Sequence, residues 1–451
     1  DLLHTGDDGF RYWRNLGQGS FDRPRLLAHM PAGLRLDQPG VGFGDMAGNG
    51  IADLLVHTGP LPGFFETTPE GAWQRFVPFE TQPSFSPQGA RLRMIDLTGD
   101  GRADALLTQD TQFLWFECLG EKGFAPPRAV ERSHDADRFP DVQFDDPADR
   151  TRLADMTGDG LQDIVRVYDG RIDYWPNLGR GRFGPRISMA NPPQLDKDFD
   201  ARRLFLVDLN GTGCADLVYV GPRHVSFWFN RSGNAWSAPQ HIRGTPATHD
   251  TSSLAFADIF GTGTAALVWS RDRIDAADGH YKALDFCGGV KPYVLIGMDN
   301  SMGMTTRVHY AASTQHFLRD RERGQPWITA LPFPVQVVDK VEVIDHVGKS
   351  KRVCTYQYHH GHYDGREREF CGFGRVDQFD SEHFADFAGP GLHGSDLRFE
   401  HDAESHTPVV ETRSWFHTGL YVAPGQGIDH RQLAQRFRDE YGRFDDQAMP
   451  P

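Results

Sequence analysis

The nine residues Asp96–Asp104 read DLTGDGRAD. Carboxylates stand at positions one, five and nine, and Gly99 and Gly101 bracket the middle one. Such a stretch is either a calcium loop or a tight turn that a repeated fold needs. Related stretches start at Asp45 (DMAGNGIAD), Asp155 (DMTGDGLQD), Asp208 (DLNGTGCAD) and Asp258 (DIFGTGTAA). The intervals between the five starts are 51, 59, 53 and 50 residues, and such self-similarity marks a repeat architecture. Each copy also has a second half. YWRNLGQGSFDRP begins at Tyr12, FLWFECLGEKGFAPP at Phe113, YWPNLGRGRFGP at Tyr174 and FWFNRSGNAWSAP at Phe227, with a looser GFFETTPEGAWQRF at Gly63.

One unit reads as four short strands. LRMIDL from Leu92 runs up to the first Asp, and TGDG turns the chain. ADALLT and FLWFE follow, then GFAPPRAV as an edge strand, where proline is tolerated. Four strands in roughly 50 residues, with no helical period, is the arithmetic of a β-propeller blade. A lone blade cannot bury both faces, whereas blades stacked in a ring do so and leave only short edges. A solenoid coil is usually shorter than this unit. The expected fold is therefore all-β, with a propeller over residues 1–284 and six blades favoured over seven. The opening DLLHTG matches DLLVHTG at Asp53–Gly59, so the first blade is expected to be partial. The chain is then expected to start inside a repeat, with ring closure borrowing upstream strands and any targeting segment out of view.

The corners differ among themselves. Asp96, Asp100, Asp104 and Asp155, Asp159, Asp163 keep all three carboxylates and are the candidate ligands of a structural calcium. Asp45/Asn49/Asp53 and Asp208/Thr212/Asp216 lose one, and the last copy keeps only Asp258, with Ala266 at position nine. The leading Asp and both glycines persist in every copy. Glycine permits positive φ, and an Asp at a strand end accepts neighbouring N–H groups, so the shared feature is turn geometry. No cofactor is required by anything in the sequence.

Bulk properties exclude other classes. A formal charge of −15 argues against nucleic acid or an anionic membrane as partner. No apolar run approaches the ~20 residues of a spanning helix. The five cysteines are scattered without a CxxC pair and read as buried free thiols.

Beyond the repeats come KPYVLIGMDNSMGMTTRVHYAAST (Lys291–Thr314), PWITALPFPVQVVDKVEVID (Pro326–Asp345), YQYHHGHYDGREREFCGFGRVDQFD (Tyr356–Asp380) and TRSWFHTG (Thr412–Gly419). The corner motif resembles the VCBS/FG-GAP repeats of integrin-type propellers, although Thr98 and Thr157 stand where those loops usually carry Asp or Asn. In this order the later segments resemble the middle region of the B component of bacterial Tc toxin complexes. SpvB-type virulence proteins and Rhs/YD-repeat proteins are relatives. The resemblance implies a propeller followed, over 285–451, by the start of an Rhs-type β-sheet shell. It implies a non-enzymatic part of a secreted toxin complex. Its partners would be a pore-forming A component, on which the propeller docks, and a toxin-bearing C component held in the shell. Any toxin activity would lie in a passenger outside this stretch. Residues 384–405 read as a surface loop. DHRQLAQRFRDEYGRF places Leu433, Phe437 and Tyr441 at helical spacing, as in a packing helix.

Other chemistry is weak. His359, His360 and His362 lie beside Asp364 and Glu367, but on a strand only residues 360 and 362 share a face. There is no GxSxG, HExxH or phosphate loop, and no catalytic residue is assigned. Glu131–Arg150 reads as an excursion between blades, with partner contact as the minority reading. Trp115, Trp175 and Trp228 read as blade packing rather than sugar platforms. The alternative to a toxin-complex subunit is a calcium-stabilised adhesion or carbohydrate-binding propeller.

Overall fold

The computed structural model describes residues 1–441 except 271–280, 381–403, 405–407, 420–429 and short stretches at 7–8, 28–32, 58, 60, 69–70, 82–84, 86–88, 132–134, 147, 196–198, 330, 349 and 366. The chain divides into two compact units, Asp1–Pro292 and Tyr293–Pro451.

Among the described residues the first unit holds six antiparallel sheets of three or four strands in chain order, with two short two-stranded sheets at Asn15–Phe21 and Asn230–Trp236. The third is typical. Leu92–Ile95, Asp104–Thr108, Gln112–Phe116 and Arg128–Glu131 pair in sequence and are called strands A to D. The second, fourth and fifth sheets have the same order. Among the described residues the sixth has A, B and C, at Leu254–Ala257, Ala266–Ser270 and Tyr281–Leu284. The first has B, C and D, at Leu2–Gly6, Gly9–Trp13 and Arg25–Leu26.

Strand B explains the apolar runs of the sequence. It lies inside its sheet with a neighbouring sheet on either face, so both sides of DLLV at Asp53 and DALL at Asp104 are buried. Leu106, Trp115, Ile164 and Trp175 form one core between the third and fourth sheets. Val165, Tyr174, Leu217 and Trp228 form the next. Fully buried, a side chain such as Leu106 contributes about 1.5–3 kcal/mol. The excursion Glu131–Arg150 feeds Val142 and Phe144 into the first of these cores.

Consecutive sheets are also stapled by an asparagine. Asn177 Nδ2 of the fourth sheet donates to the Asp96 carbonyl of the third at 3.0 Å. Asn230 Nδ2 of the fifth donates to the Met156 carbonyl of the fourth at 2.9 Å. The same staple joins the ends of the repeat series, because Asn15 Nδ2 donates to the Asp258 carbonyl at 3.0 Å. Gln18 and Gly19 add backbone bonds to Phe260 and Ile259, both 3.1 Å. The first and sixth sheets are therefore joined through the same kind of bond as the third and fourth.

Asp285–Pro292, read from sequence as the start of the second region, packs with the first unit. Phe286 meets Phe227 edge to face with ring centroids 5.1 Å apart, and Cys287 Sγ donates to the Leu209 carbonyl at 3.1 Å.

The second unit is one six-stranded antiparallel meander: Gly297–Asp299, Met304–Ala312, Gln336–Asp345, Ser350–Asp364, Glu369–Asp380 and Glu411–Trp415. Helix α1, Ser313–Glu322, was not foreseen and covers part of the sheet. Helix α2, His430–Tyr441, occupies the stretch read as a packing helix. Phe437 lies over Gly374, where a Cβ would stand 3.0 Å from the ring. The loop read over 384–405 lies almost wholly outside the described residues.

Candidate functional site

The aspartate–glycine corners join strands A and B. In the third sheet Asp96 Oδ1 accepts the N–H groups of Thr98 and Gly99 at 3.1 and 2.7 Å, and Oδ2 accepts that of Gly101 at 2.7 Å. Gly99 and Gly101 take φ of 82° and 78°, which L residues rarely adopt. Asp155 repeats the pattern with Thr157, Gly158 and Gly160, and Asp258 with Gly261, Thr262 and Gly263. Position five makes a local turn: Asp100 accepts from Arg102 N and Asp159 from Leu161 N, both at 2.9 Å.

Position nine does something else. Asp104 is fully buried; Oδ2 accepts Leu97 N in the corner, and Oδ1 accepts Cys118 N just past strand C. Asp163 bridges Met156 N and Asn177 N in the same way. Burial pushes Asp104 up to about 6 and Asp163 up to about 7, against the pull of these N–H groups. All six carboxylates expected to hold calcium thus face backbone donors. Among the described residues no three acidic, His or Cys side chains converge as a cation site.

Along strand A of the fourth, fifth and sixth sheets a cavity of about 520 Å³ is lined by Leu153, Phe205, Val207 and Phe256, with Asp149, Arg152 and Arg202 among its polar residues. Phe205 and Phe256, from adjacent sheets, lie 5.2 Å apart. This wall is mostly aliphatic and aromatic.

The histidine group of the second unit is a buried ion network. His359 Nδ1 lies 2.6 Å from Asp320 of α1, and Nε2 lies 3.2 Å from Asp377. Arg375 holds Asp377 through two nitrogens and reaches Glu440 of α2 at 3.1 Å. Glu440 also meets His360 Nε2 at 2.9 Å, and Trp327 donates to Asp320 at 2.7 Å. Burial opposes ionisation of Glu440, but His360 and Arg375 outweigh it and hold the carboxyl at about 2. Burial likewise lowers His359, yet Asp320 and Asp377 win and raise it. His359 and His360 turn to different partners because His360 sits at φ 57°, beside a register shift at Gly361–Tyr363. His362 joins neither, and the group is structural bracing between helices and sheet.

Trp115, Trp175 and Trp228 are buried, as packing requires. Of the thiols, Cys118 and Cys214 are buried; Cys287, Cys354 and Cys371 are only half-buried, which corrects the uniform expectation, and all five are free.

Comparison with known proteins fits this architecture. Residues 155–219 match an FG-GAP-like repeat, and residues 229–388 match the middle/N-terminal region of the insecticide toxin TcdB. The chain resembles the TcdB subunit of Tc toxins. The Tc holotoxin pore of Photorhabdus luminescens contains a chain 29% identical over 99% of this one, with TM-score 0.78. A TcdB2–TccC3–Cdc42 structure is 28% identical over 100%, with TM-score 0.64. TcdB2–TccC3 without its hypervariable C-terminal region is 26% identical over 99%, with TM-score 0.62. This TcdB-like chain spans 20% of each of those chains, about a fifth of their length. No curated protein matches it. The likeness is to a subunit of a toxin complex.

Proposed function

We propose that this chain is a non-enzymatic assembly segment of a secreted, extracellular toxin complex. The propeller docks on a pore-forming component and gates the route into it. The six-stranded sheet begins a shell that encloses a toxin-bearing passenger. The observation that carries the reading is the 28–29% identity along essentially the whole chain to proteins solved within a Tc holotoxin pore and with TccC3. The corner carboxylates serve as acceptors that set turns, and no metal is needed for stability.

The deciding experiment mixes the full-length protein with the pore-forming component of the same complex and measures assembly by size-exclusion chromatography. A stable complex that excludes an added competitor propeller is expected. A folded full-length protein that never co-elutes with that component rules the reading out. In parallel, a chelator should shift the thermal midpoint of this chain by less than ~1 °C. A drop of many degrees would favour the calcium-stabilised adhesion alternative.

A further inference from the structure

The hairpin that joins strands B and C of the fourth sheet carries RVYDGR at Arg166–Arg171. Three guanidinium groups gather on its tyrosine. Arg150, Arg166 and Arg171 stand 5.2, 5.5 and 5.9 Å from the Tyr168 ring centroid. Such a concentration of positive charge is unexpected in a chain of formal charge −15. Arg171 is tied to Asp173. Among the described residues, Arg150 and Arg166 have no carboxylate at ion-pair distance. Arg166 gives one donor to the Asp141 carbonyl at 3.4 Å, while its Nε is buried without a partner.

A guanidinium stacked on a ring spends its face and keeps its N–H edge, and that planar fork matches a carboxylate. Like charges gathered on one ring repel, so an arriving anion is favoured twice. The cluster is accessible, with Arg171 exposed and Tyr168 and Arg150 half-buried. It lies at the end of the sheet where B meets C, opposite the aspartate corners that join A to B. Arg150 closes the excursion for which partner contact was the minority reading.

We propose that Arg150, Arg166 and Arg171, arrayed on Tyr168, bind a carboxylate side chain presented by an acidic segment of a protein partner. Charge favours that occupant over a polyphosphate. Asp141, Asp149, Asp169 and Asp173 surround the cluster in sequence, and Asp173 is held by Arg171 and Ser188. A stiff, densely charged polyphosphate would meet those carboxylates, whereas one or two side chains of a flexible acidic peptide fit between them.

The test is isothermal titration of the 451-residue chain at low ionic strength with a hexaglutamate peptide, and separately with inorganic phosphate. Hexaglutamate should bind, more tightly than phosphate, and Arg150→Gln/Arg166→Gln should weaken it by about tenfold or more. Arg150→Lys/Arg166→Lys keeps the charge and loses the fork, so it serves if the glutamine variant does not fold; a several-fold loss is expected. Undiminished binding by a folded variant overturns the proposal. So does phosphate binding as tightly as the peptide, or no binding of the peptide at all.

Discussion

Replacing Asn177 with alanine tests how the propeller holds together. The side chain is 1% exposed and makes three bonds. Nδ2 donates to the Asp96 carbonyl at 3.0 Å and to the Gln162 carbonyl at 3.2 Å, and Oδ1 accepts Gly179 N at 3.0 Å. Alanine leaves two carbonyls and one N–H without that partner, where water enters poorly. At about 1 kcal/mol or more for each orphan, the cost is about 3 kcal/mol. Asn15 makes the matching bond to Asp258 and accepts Gly17 N, but it is only half-buried, so water compensates and the cost is about 1 kcal/mol. In a unit of this size each kcal/mol moves the thermal midpoint by roughly 2–4 °C. Differential scanning calorimetry should therefore show a fall of roughly 6–12 °C for Asn177→Ala and roughly 2–4 °C for Asn15→Ala. Equal shifts, or an Asn177→Ala variant within 2 °C of wild type, would refute the idea that this buried amide staples the fourth sheet to the third.

Gly123 has φ 94°, and a Cβ there would stand 2.3 Å from the Thr81 carbonyl. Gly123→Ala should cost more than Gly99→Ala, where φ is 82° but the nearest atom is 3.6 Å away; urea unfolding compares them. Glu440→Ala leaves Arg375 and His360 buried without their carboxylate, a loss of about 3 kcal/mol that hydrogen exchange over residues 430–441 should report as faster exchange. The same network predicts a pH optimum. Glu440 is lowered from 4.5 to about 2, against the opposing effect of burial. Its contribution is complete above about 4.5 and is lost as pH falls toward 2. His359 is raised from 6.5, so its contribution is complete below that value and is lost as pH rises through the folded pKa. Exchange protection of α2 should peak between about pH 4.5 and 6.5, and a profile rising steadily to pH 9 would contradict it.

The propeller was legible because its signals are local. An Asp, two glycines and an apolar run recur at the same offsets, and each reports on backbone within nine residues. The first sheet's missing strand A could be read from the match of Asp1 to Asp53. What escaped depended on distance in sequence. Helix α1 begins directly after a strand, its Ala312 cap makes no side-chain bond, and its apolar stripe is weak, so nothing in STQHFLRDRE announces it. The histidine network draws on residues 320, 359, 360, 375, 377 and 440, and no local window holds both His360 and Glu440. The arginines around Tyr168 lay half in view: RVYDGR is contiguous, but Arg150 arrives across a paired strand.

The one corner that breaks the pattern shows what the pattern is for. Position nine bridges the corner to the residue two past the end of strand C, as Asp104 does to Cys118 N and Asp216 to Asn230 N. Asp53 does the same with Thr67 N, and Asp1 with Asn15 N at 2.6 Å. In the sixth sheet Leu267 pairs with Leu284 as Ala105 pairs with Phe116, so the corresponding N–H would belong to Phe286. Here the chain does not turn back into a strand D. Asp285 instead takes the N–H groups of Cys287 and Gly289 and sends the chain onward. With no C–D turn to anchor, a carboxylate at position nine would be buried without that donor, and Ala266 stands there. The leading Asp258 persists because its three N–H groups belong to the corner itself. A ligand loop would lose its carboxylates together when the ion was lost. At the Asp258 corner the position-nine carboxylate is lost along with its donor, whereas Asn49 replaces a carboxylate and keeps its bond, accepting Ile51 N at 2.8 Å.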